Sequence, residues 1–378
     1  MGLRYTSPLT QVIIVGFICF LCPGMFNALN GMGGGGQVDA STGANGNTAL
    51  YSTFVVFGII GGGIVNLCGV RWTIFGSGFT YALYSASYIY LNETKKGGLT
   101  IAAGALLGIG AWYSCLGSVL GLALAPPSRV VRDDGSSVVM VKYTNVGTEA
   151  LEIVKLFLNP MMISLLPLCF ASNFFYGYQF NAINGAIFNL RTRGFNNIIY
   201  WGAQMVGAYA ISFVLDNKNM NRKKRGIIGF ATVAIFFNVV WGGTLALQQK
   251  YTHGPTTTGP TDYPGGPIDF KDSSRAGGPI TLYFVCGFGD AIYQSFAYWV
   301  IGALTNDNQK LSRYVGFYKG MQSFGAAISW QLEAKGVDFM GQLIVSMAYV
   351  VWNIKDHSED TVAAEDEVVH EKIAAGAV

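Results

Sequence analysis

Asp290 and Lys319 carry the strongest chemistry in this sequence, because each is a formal charge set in a long apolar run. The strings are "DAIYQSFAYWVIGALTND" (290–307) and "FYKGMQSFGAAISWQLEA" (317–334). A charge held in the centre of a bilayer is costly, so it normally faces a helix bundle and either pairs or serves a pathway. Gln294 lies four residues from Asp290, and Gln322 lies three from Lys319, which places each amide on the same helix face as its charge. Two chemistries fit this set. One is an ion pair that holds two helices together; the other is proton coupling or contact with a substrate.

Further amides belong to a repeated string. "FNALNG" (26–31) returns as "FNAING" (180–185), the copies differing only by Leu29 against Ile183. Asn27 and Asn30 are three apart, as are Asn181 and Asn184, so each pair shares a helix face. Asn173 and Tyr176 continue the second polar face one or two turns back along the chain. Inside a membrane, amides commonly hydrogen-bond between helices.

Composition states what must position these groups. Of 378 residues, 51% are hydrophobic and only 12% charged, with a mean hydropathy of +0.37; a soluble chain carries about twice that charge. The sequence therefore predicts an all-α polytopic membrane protein that faces the lipid bilayer. A net charge of +3, with no basic-aromatic patch, argues against a nucleic-acid partner.

No cofactor or metal site is expected. Cys19, Cys22, Cys68, Cys115, Cys169 and Cys286 all lie in apolar runs, and His253, His357 and His370 lie in polar ones. "GMGGGGQ" (31–37) lacks the Lys-Ser/Thr of a phosphate loop. No Ser/His/Asp set or carboxylate pair is present, so an enzyme is not expected.

A helix of about 20 apolar residues crosses the hydrocarbon core. Ten candidates follow: Leu9–Asn30, Ala49–Val70, Thr73–Leu91, Leu99–Ala125, Leu158–Asn181, Phe195–Leu215, Gly226–Gln248, Ile280–Leu304, Tyr314–Leu332 and Phe339–Ile354. With the N-terminus inside, cytoplasmic segments hold 15 Lys/Arg and outer loops eight, so both termini are expected in the cytoplasm. On this topology Asp290 lies roughly 15 Å deep and Lys319 roughly 11 Å from the inner face, heights close enough for a salt bridge. The chain divides into an N-terminal helical half (1–125), a central cytoplasmic loop (126–157), a six-helix half (158–354) and an acidic tail (355–378).

The repeat extends beyond the six residues. Asn66 follows Asn27 at the inner end of the next span, before a short basic turn with Arg71. Asp216 follows Asn181 at the matching place, before Arg222 to Arg225. The two halves are thus parallel repeats, related by an axis along the membrane normal.

Two halves with a polar residue and a basic turn at these places resemble the major facilitator superfamily. "CPGMFNALNGMGGGGQVD" (22–39), "FASNFFYGYQFNAINGAIFNLRTRGFNN" (170–197) and the two strings quoted first are similar to its Unc-ninety-three-like branch, fungal-type members above all. The resemblance implies a two-half helical bundle around a central cavity, lined by the first helix of each half. It also implies a cytoplasmic gate of Asn66, Arg71, Asp216, Arg222 and Arg225, with Asn66 standing where the family usually has an Asp.

That branch includes a channel regulator and a trafficking chaperone, whereas the superfamily transports small solutes, often with protons. The expected function is transport of a small solute by alternating access; a non-transporting partner of another membrane protein stands beside it. Four spans before the central loop and six after it depart from the family's six plus six. About 80 residues, on the order of two spans with their loops, are missing near Gly110–Trp112.

Overall fold

The computed structural model describes residues 4–5, 7–19, 24–33, 36, 40–68, 70–114, 146–254, 261–305 and 307–347. Their regular structure is helical, apart from an isolated bridge between Phe188 and Ile268. The first part comprises α1 (Pro8–Cys19), α2 (Met25–Gly31), α3 (Ala40–Cys68), α4 (Val70–Thr94) and α5 (Gly98–Ser114). The second comprises α6 (Val146–Lys155), α7 (Pro160–Ala171), a π-helical segment (Tyr178–Gly185), α8 (Leu190–Leu215), α9 (Arg222–Gln248), α10 (Ser273–Ala303) and α11 (Asn308–Ala334). A last helix occupies 339–347. The acidic tail, the junction after Ser114 and most of the central loop lie outside the described residues.

Long helices α3 to α5 and α8 to α11 lie across seven of the ten expected spans. The first is described as two short helices, the fifth is interrupted and the tenth is described only to residue 347. Judged by length and apolar composition, α8 and α9 qualify among the described residues as membrane-crossing helices. The others are shorter, bent or interrupted by polar residues. In α10 and α11 the interruptions are the buried Asp290, Gln322 and Ser323, which a hydropathy window penalises although they face the interior. On α8 the interior face carries Thr192, Asn196, Asn197 and Tyr200, while Ile198, Met205, Val206, Tyr209 and Phe213 are exposed. Polar residues inside and large apolar ones outside reverse the soluble pattern and suit a lipid-facing helix.

Several expected boundaries change: α8, α10 and α11 begin at Leu190, Ser273 and Asn308, before the expected starts, and two differences are larger. The outer loop read between the first two spans is helical from Ala40, nine residues before the expected start. Its small polar string "ASTGANGNTA" escapes a hydropathy reading, but it packs tightly. A Cβ on Gly104 of α5 would lie 2.2 Å from the Gly46 carbonyl oxygen of α3. Only small residues permit such an approach.

The span expected over Leu158–Asn181 is interrupted. α7 ends at Ala171, Ser172–Phe175 turn, and the chain re-forms as the π-helical segment. Pro167 inside α7 removes one backbone donor. Helix bonds shorten to the three-residue kind at Ser172 and Phe174, and the Leu168 carbonyl accepts from the Tyr293 hydroxyl at 2.9 Å instead. The Ala182 carbonyl likewise accepts from Tyr251 at 2.7 Å. The end of the central loop is also more ordered than expected, since α6 is helical and Glu152 on it meets Arg313 of α11 at 3.6 Å.

Buried apolar side chains form two clusters. The smaller joins Phe26, Leu50, Tyr84, Tyr88, Ala103 and Leu107; the larger fills the second part and reaches Ala44 of α3. The two parts meet along α3 and α11, and again where α2 touches α8 and the π-helical segment.

Candidate functional site

α10 is the axis of the polar centre. Asp290, on its buried face, is fully excluded from solvent. Close packing brings α8 to it: a Cβ on Gly287 would lie 2.5 Å from the Tyr200 carbonyl oxygen, and one on Gly207 would lie 2.5 Å from that of Phe288. Across this glycine-lined contact, the Gln204 amide donates to Asp290 Oδ2 at 2.5 Å and the Tyr200 hydroxyl approaches the same oxygen at 3.5 Å. Tyr176, just after the break in the seventh helix, donates to Oδ2 at 2.8 Å. Gln294 donates to Oδ1 at 2.7 Å. A carboxylate with donors on both oxygens recovers much of the hydration it loses on burial.

Lys319 does not touch Asp290. Its Nζ donates to Gln322 Oε1 at 2.8 Å and sits over the rings of Tyr298 and Tyr318, 5.4 and 5.5 Å from their centroids. The expected heights are compatible with a salt bridge, but two glutamines stand between the charges. Gln322 Nε2 lies 3.2 Å from Gln294 Oε1, and Gln294 reaches Asp290. Aromatic faces and an amide thus occupy the ammonium where a carboxylate was expected.

Gln322 is the crossing point. Besides Gln294, its amide nitrogen is 2.8 Å from Ser172 Oγ, 3.0 Å from Asn173 Oδ1 and 3.2 Å from the Tyr318 hydroxyl. An amide nitrogen has two hydrogens, so these four oxygens share them. Asn173, Tyr176, Gln294 and Gln322 therefore join Asp290 and Lys319 in one network. Gln204, Tyr200 and Ser172 belong to it too, and nothing in the sequence singled them out. Gln204 was visible only as a lone amide in "WGAQMVG".

The repeated amides form a second site, at the other end of the π-helical segment. Asn184, wholly buried, donates to the Gly31 carbonyl at 2.7 Å and accepts from Asn196 at 2.9 Å. Asn197 donates to the Ala28 carbonyl at 2.7 Å. The two copies of the repeated string are therefore fastened to each other. Gly33, with a φ of +80°, packs so closely that a Cβ there would lie 2.7 Å from Gly185 Cα.

Asn30 faces its own part, in a reciprocal amide pair with Asn47 at 3.2 Å; Tyr84 donates to Asn47 and contacts Tyr88. Asn181 is buried near the fastening and Asn27 is half-buried.

The residues expected at a cytoplasmic gate do not form ion pairs with one another among the described residues. Asp216 is exposed at the end of α8. Arg225 donates to the Leu215 carbonyl at 2.9 Å and lies over the Trp299 ring, while Arg222 donates to the Ala303 carbonyl at 3.0 Å. Both guanidinium groups thus satisfy the carbonyl ends of helices, where positive charge is favoured. The side chains of Asn66 and Arg71 lie outside the described residues.

Asp269 ties the loop after α9 to the start of α8. It accepts from the Lys271 backbone N–H at 3.0 Å, from Arg191 and from Asn189 at 2.9 Å. The Lys271 N–H first, then these two side chains, hold its carboxyl down at about 2.

Comparison with known proteins places the chain in a family. Residues 34–121 match the family described as "Ion channel regulatory protein UNC-93". The chain is 42% identical over 408 residues to "UNC93-like protein 1" of Arabidopsis thaliana, covering 91% of this chain and 87% of the relative. It is 35% identical over 442 residues to "UNC93-like protein C922.05c" of Schizosaccharomyces pombe, covering 97% and 86%. Since 91% of 378 residues is about 344, about 64 of the 408 aligned positions in the plant relative have no counterpart here. No solved structure matches the chain. Identity at this level over nearly the whole chain, on an all-helical body with apolar outward faces, shows that it belongs to the UNC93-like family.

Proposed function

We propose that this chain is a multi-pass integral membrane protein that regulates another membrane protein, an ion-conducting one in keeping with the description of its family. It does so as a two-part bundle of major facilitator type, with both termini on the cytoplasmic side. The observation that supports this reading is the saturation of the Asp290 centre. Its carboxylate is fully buried and its oxygens receive Tyr176, Gln204 and Gln294 from three separate segments of the chain. A carboxylate so engaged is a structural anchor before it is a solute contact. The missing aligned positions, which we assign to the junction near Gly110–Trp112, shorten the first part that a transport cavity would need.

The test has two arms. Membrane currents under voltage clamp are compared in cells with and without the chain, and solute flux is measured in liposomes holding the purified chain alone. The regulatory reading expects a changed current and no flux. Solute flux carried by the chain alone overturns it.

A second reading, alternating-access transport of a small solute with proton coupling, is favoured by one observation: the hydrogen-bonded relay Asp290–Gln294–Gln322–Lys319. On this reading Asn27, Asn30, Asn181 and Asn184 line the solute path at the other end of the π-helical segment from the relay, and Asn66, Arg71, Asp216, Arg222 and Arg225 act at the cytoplasmic gate. Proton uptake that is unchanged in Asp290→Asn would sink the coupled version.

A further inference from the structure

Lys319 is the exception to the saturation around Asp290. An ammonium has three N–H donors. One reaches Gln322 Oε1, and two tyrosine faces approach from the sides. No carboxylate among the described residues comes within ion-pair distance of it, and the nearest buried one, Asp290, is already held by Tyr176, Gln204 and Gln294. Lys319 is only half-buried, so its remaining donors are within reach of a ligand.

Asn173 is also half-buried and converges on the same Gln322 amide through its Oδ1. That contact leaves the NH2 group of Asn173 free to donate. An ammonium and an amide NH2 thus converge on the two ends of the Gln322 amide. Their hydrogen-bonding character is that of donors.

We propose that Lys319 and Asn173 bind the oxygen atoms of an anionic group, a carboxylate or phosphate, supplied by a small soluble anion or by a lipid headgroup. A charge in a membrane helix with no carboxylate at ion-pair distance is costly, and charge-assisted bonds to an anion lower that cost. The inference goes beyond regulation of a partner: it concerns what the polar centre holds, whether or not a solute crosses.

The experiment uses the full chain in phosphatidylcholine nanodiscs. Unfolding is followed by heating while sodium phosphate or sodium succinate is titrated against sodium chloride at matched ionic strength. A parallel set of nanodiscs contains phosphatidic acid. The expected result is a concentration-dependent rise in the unfolding temperature with a soluble anion, or a rise with phosphatidic acid alone; the second outcome assigns the source to lipid. Lys319→Gln should weaken the apparent affinity roughly tenfold or more, and Lys319→Arg should retain most of it. Asn173→Ala tests the second donor while leaving the charge in place. The proposal is overturned if no anion stabilises the unaltered chain, or if Lys319→Gln, still giving a cooperative transition, responds as the unaltered chain does. If Lys319→Gln fails to fold, equal responses of Asn173→Ala and the unaltered chain overturn the two-donor site.

Discussion

Asn184 donates its side-chain amide to the carbonyl oxygen of Gly31 at 2.7 Å, joining the second copy of the repeated string to the first across 153 positions. The same side chain accepts from Asn196, so it satisfies two buried partners from two other helices. The repeat is thus a contact as well as a duplication.

Removing that amide should loosen the junction. Asn184→Ala leaves the Gly31 carbonyl and the Asn196 amide without this partner, a loss of roughly 1–2 kcal/mol. Thermal unfolding in detergent should show a lowered transition. Gly33→Ala should cost more, because its added Cβ meets backbone atoms of Gly185 and Phe180, which cannot rotate away, and its φ is +80°. If Gly33→Ala unfolds like the unaltered chain, Gly33 does not pack against the second string.

The Asp290 centre makes an ordered prediction. Asp290→Ala strips the acceptor from Tyr176, Gln204 and Gln294 at once and leaves a void, which should cost roughly 2–4 kcal/mol. Asp290→Asn keeps the shape and one acceptor oxygen but turns an NH2 group toward donors, so it should cost less. Gln204→Leu removes a single bond and should cost least, about 1 kcal/mol. Unfolding temperatures that fall in any other order would mean that charge or volume, rather than hydrogen bonding, organises the centre.

The parts legible in the sequence were those that break a local pattern. Asp290 and Lys319 stand out because charges are rare in apolar runs, and Gln294 and Gln322 follow from helical spacing. The repeated amides were visible as a duplication, but their mutual contact was not. Gln204 and Tyr200 were hidden because an isolated amide or tyrosine carries no motif. What turns them onto Asp290 is the α8–α10 packing at Gly207 and Gly287, a tertiary fact. Asn47 was hidden by its setting, since small polar residues read as a loop until α5 packs against them. The π-helical segment left no compositional mark at all. The separation of Lys319 from Asp290 escaped because helix depth sets height and not the direction a side chain takes.

The loop after α9 should respond to acid through Asp269. Its carboxyl is held near 2, below the unfolded value of about 4, by the Lys271 N–H, Arg191 and Asn189. A group depressed on folding stabilises the folded state above its unfolded value and loses that contribution as pH falls through the folded one. The difference in unfolding temperature between the unaltered chain and Asp269→Asn should therefore be constant above about pH 5 and close toward pH 2. Asp262 is also held below its ordinary range, by Thr252 and His253 against the effect of burial, but it is present in both chains and drops out of the difference. A gap that does not narrow in acid would show that Asp269 acts through packing and not through its charge.

Arg225 should matter through its geometry as well as its charge. Its guanidinium reaches the Leu215 carbonyl at the end of α8 and lies 5.9 Å from the centroid of the Trp299 ring. Arg225→Lys keeps a positive charge near the carbonyl end of the helix but loses the planar group that bonds and stacks at once. Arg225→Ala loses both and should cost about 1–2 kcal/mol, with the lysine variant between it and the unaltered chain. Tryptophan fluorescence gives a second readout, because Trp299 should respond to either substitution. If Arg225→Lys matches the unaltered chain in both measurements, the helix-end charge alone accounts for the residue. In that case Arg222, which reaches the Ala303 carbonyl in the same way, should also accept lysine without loss.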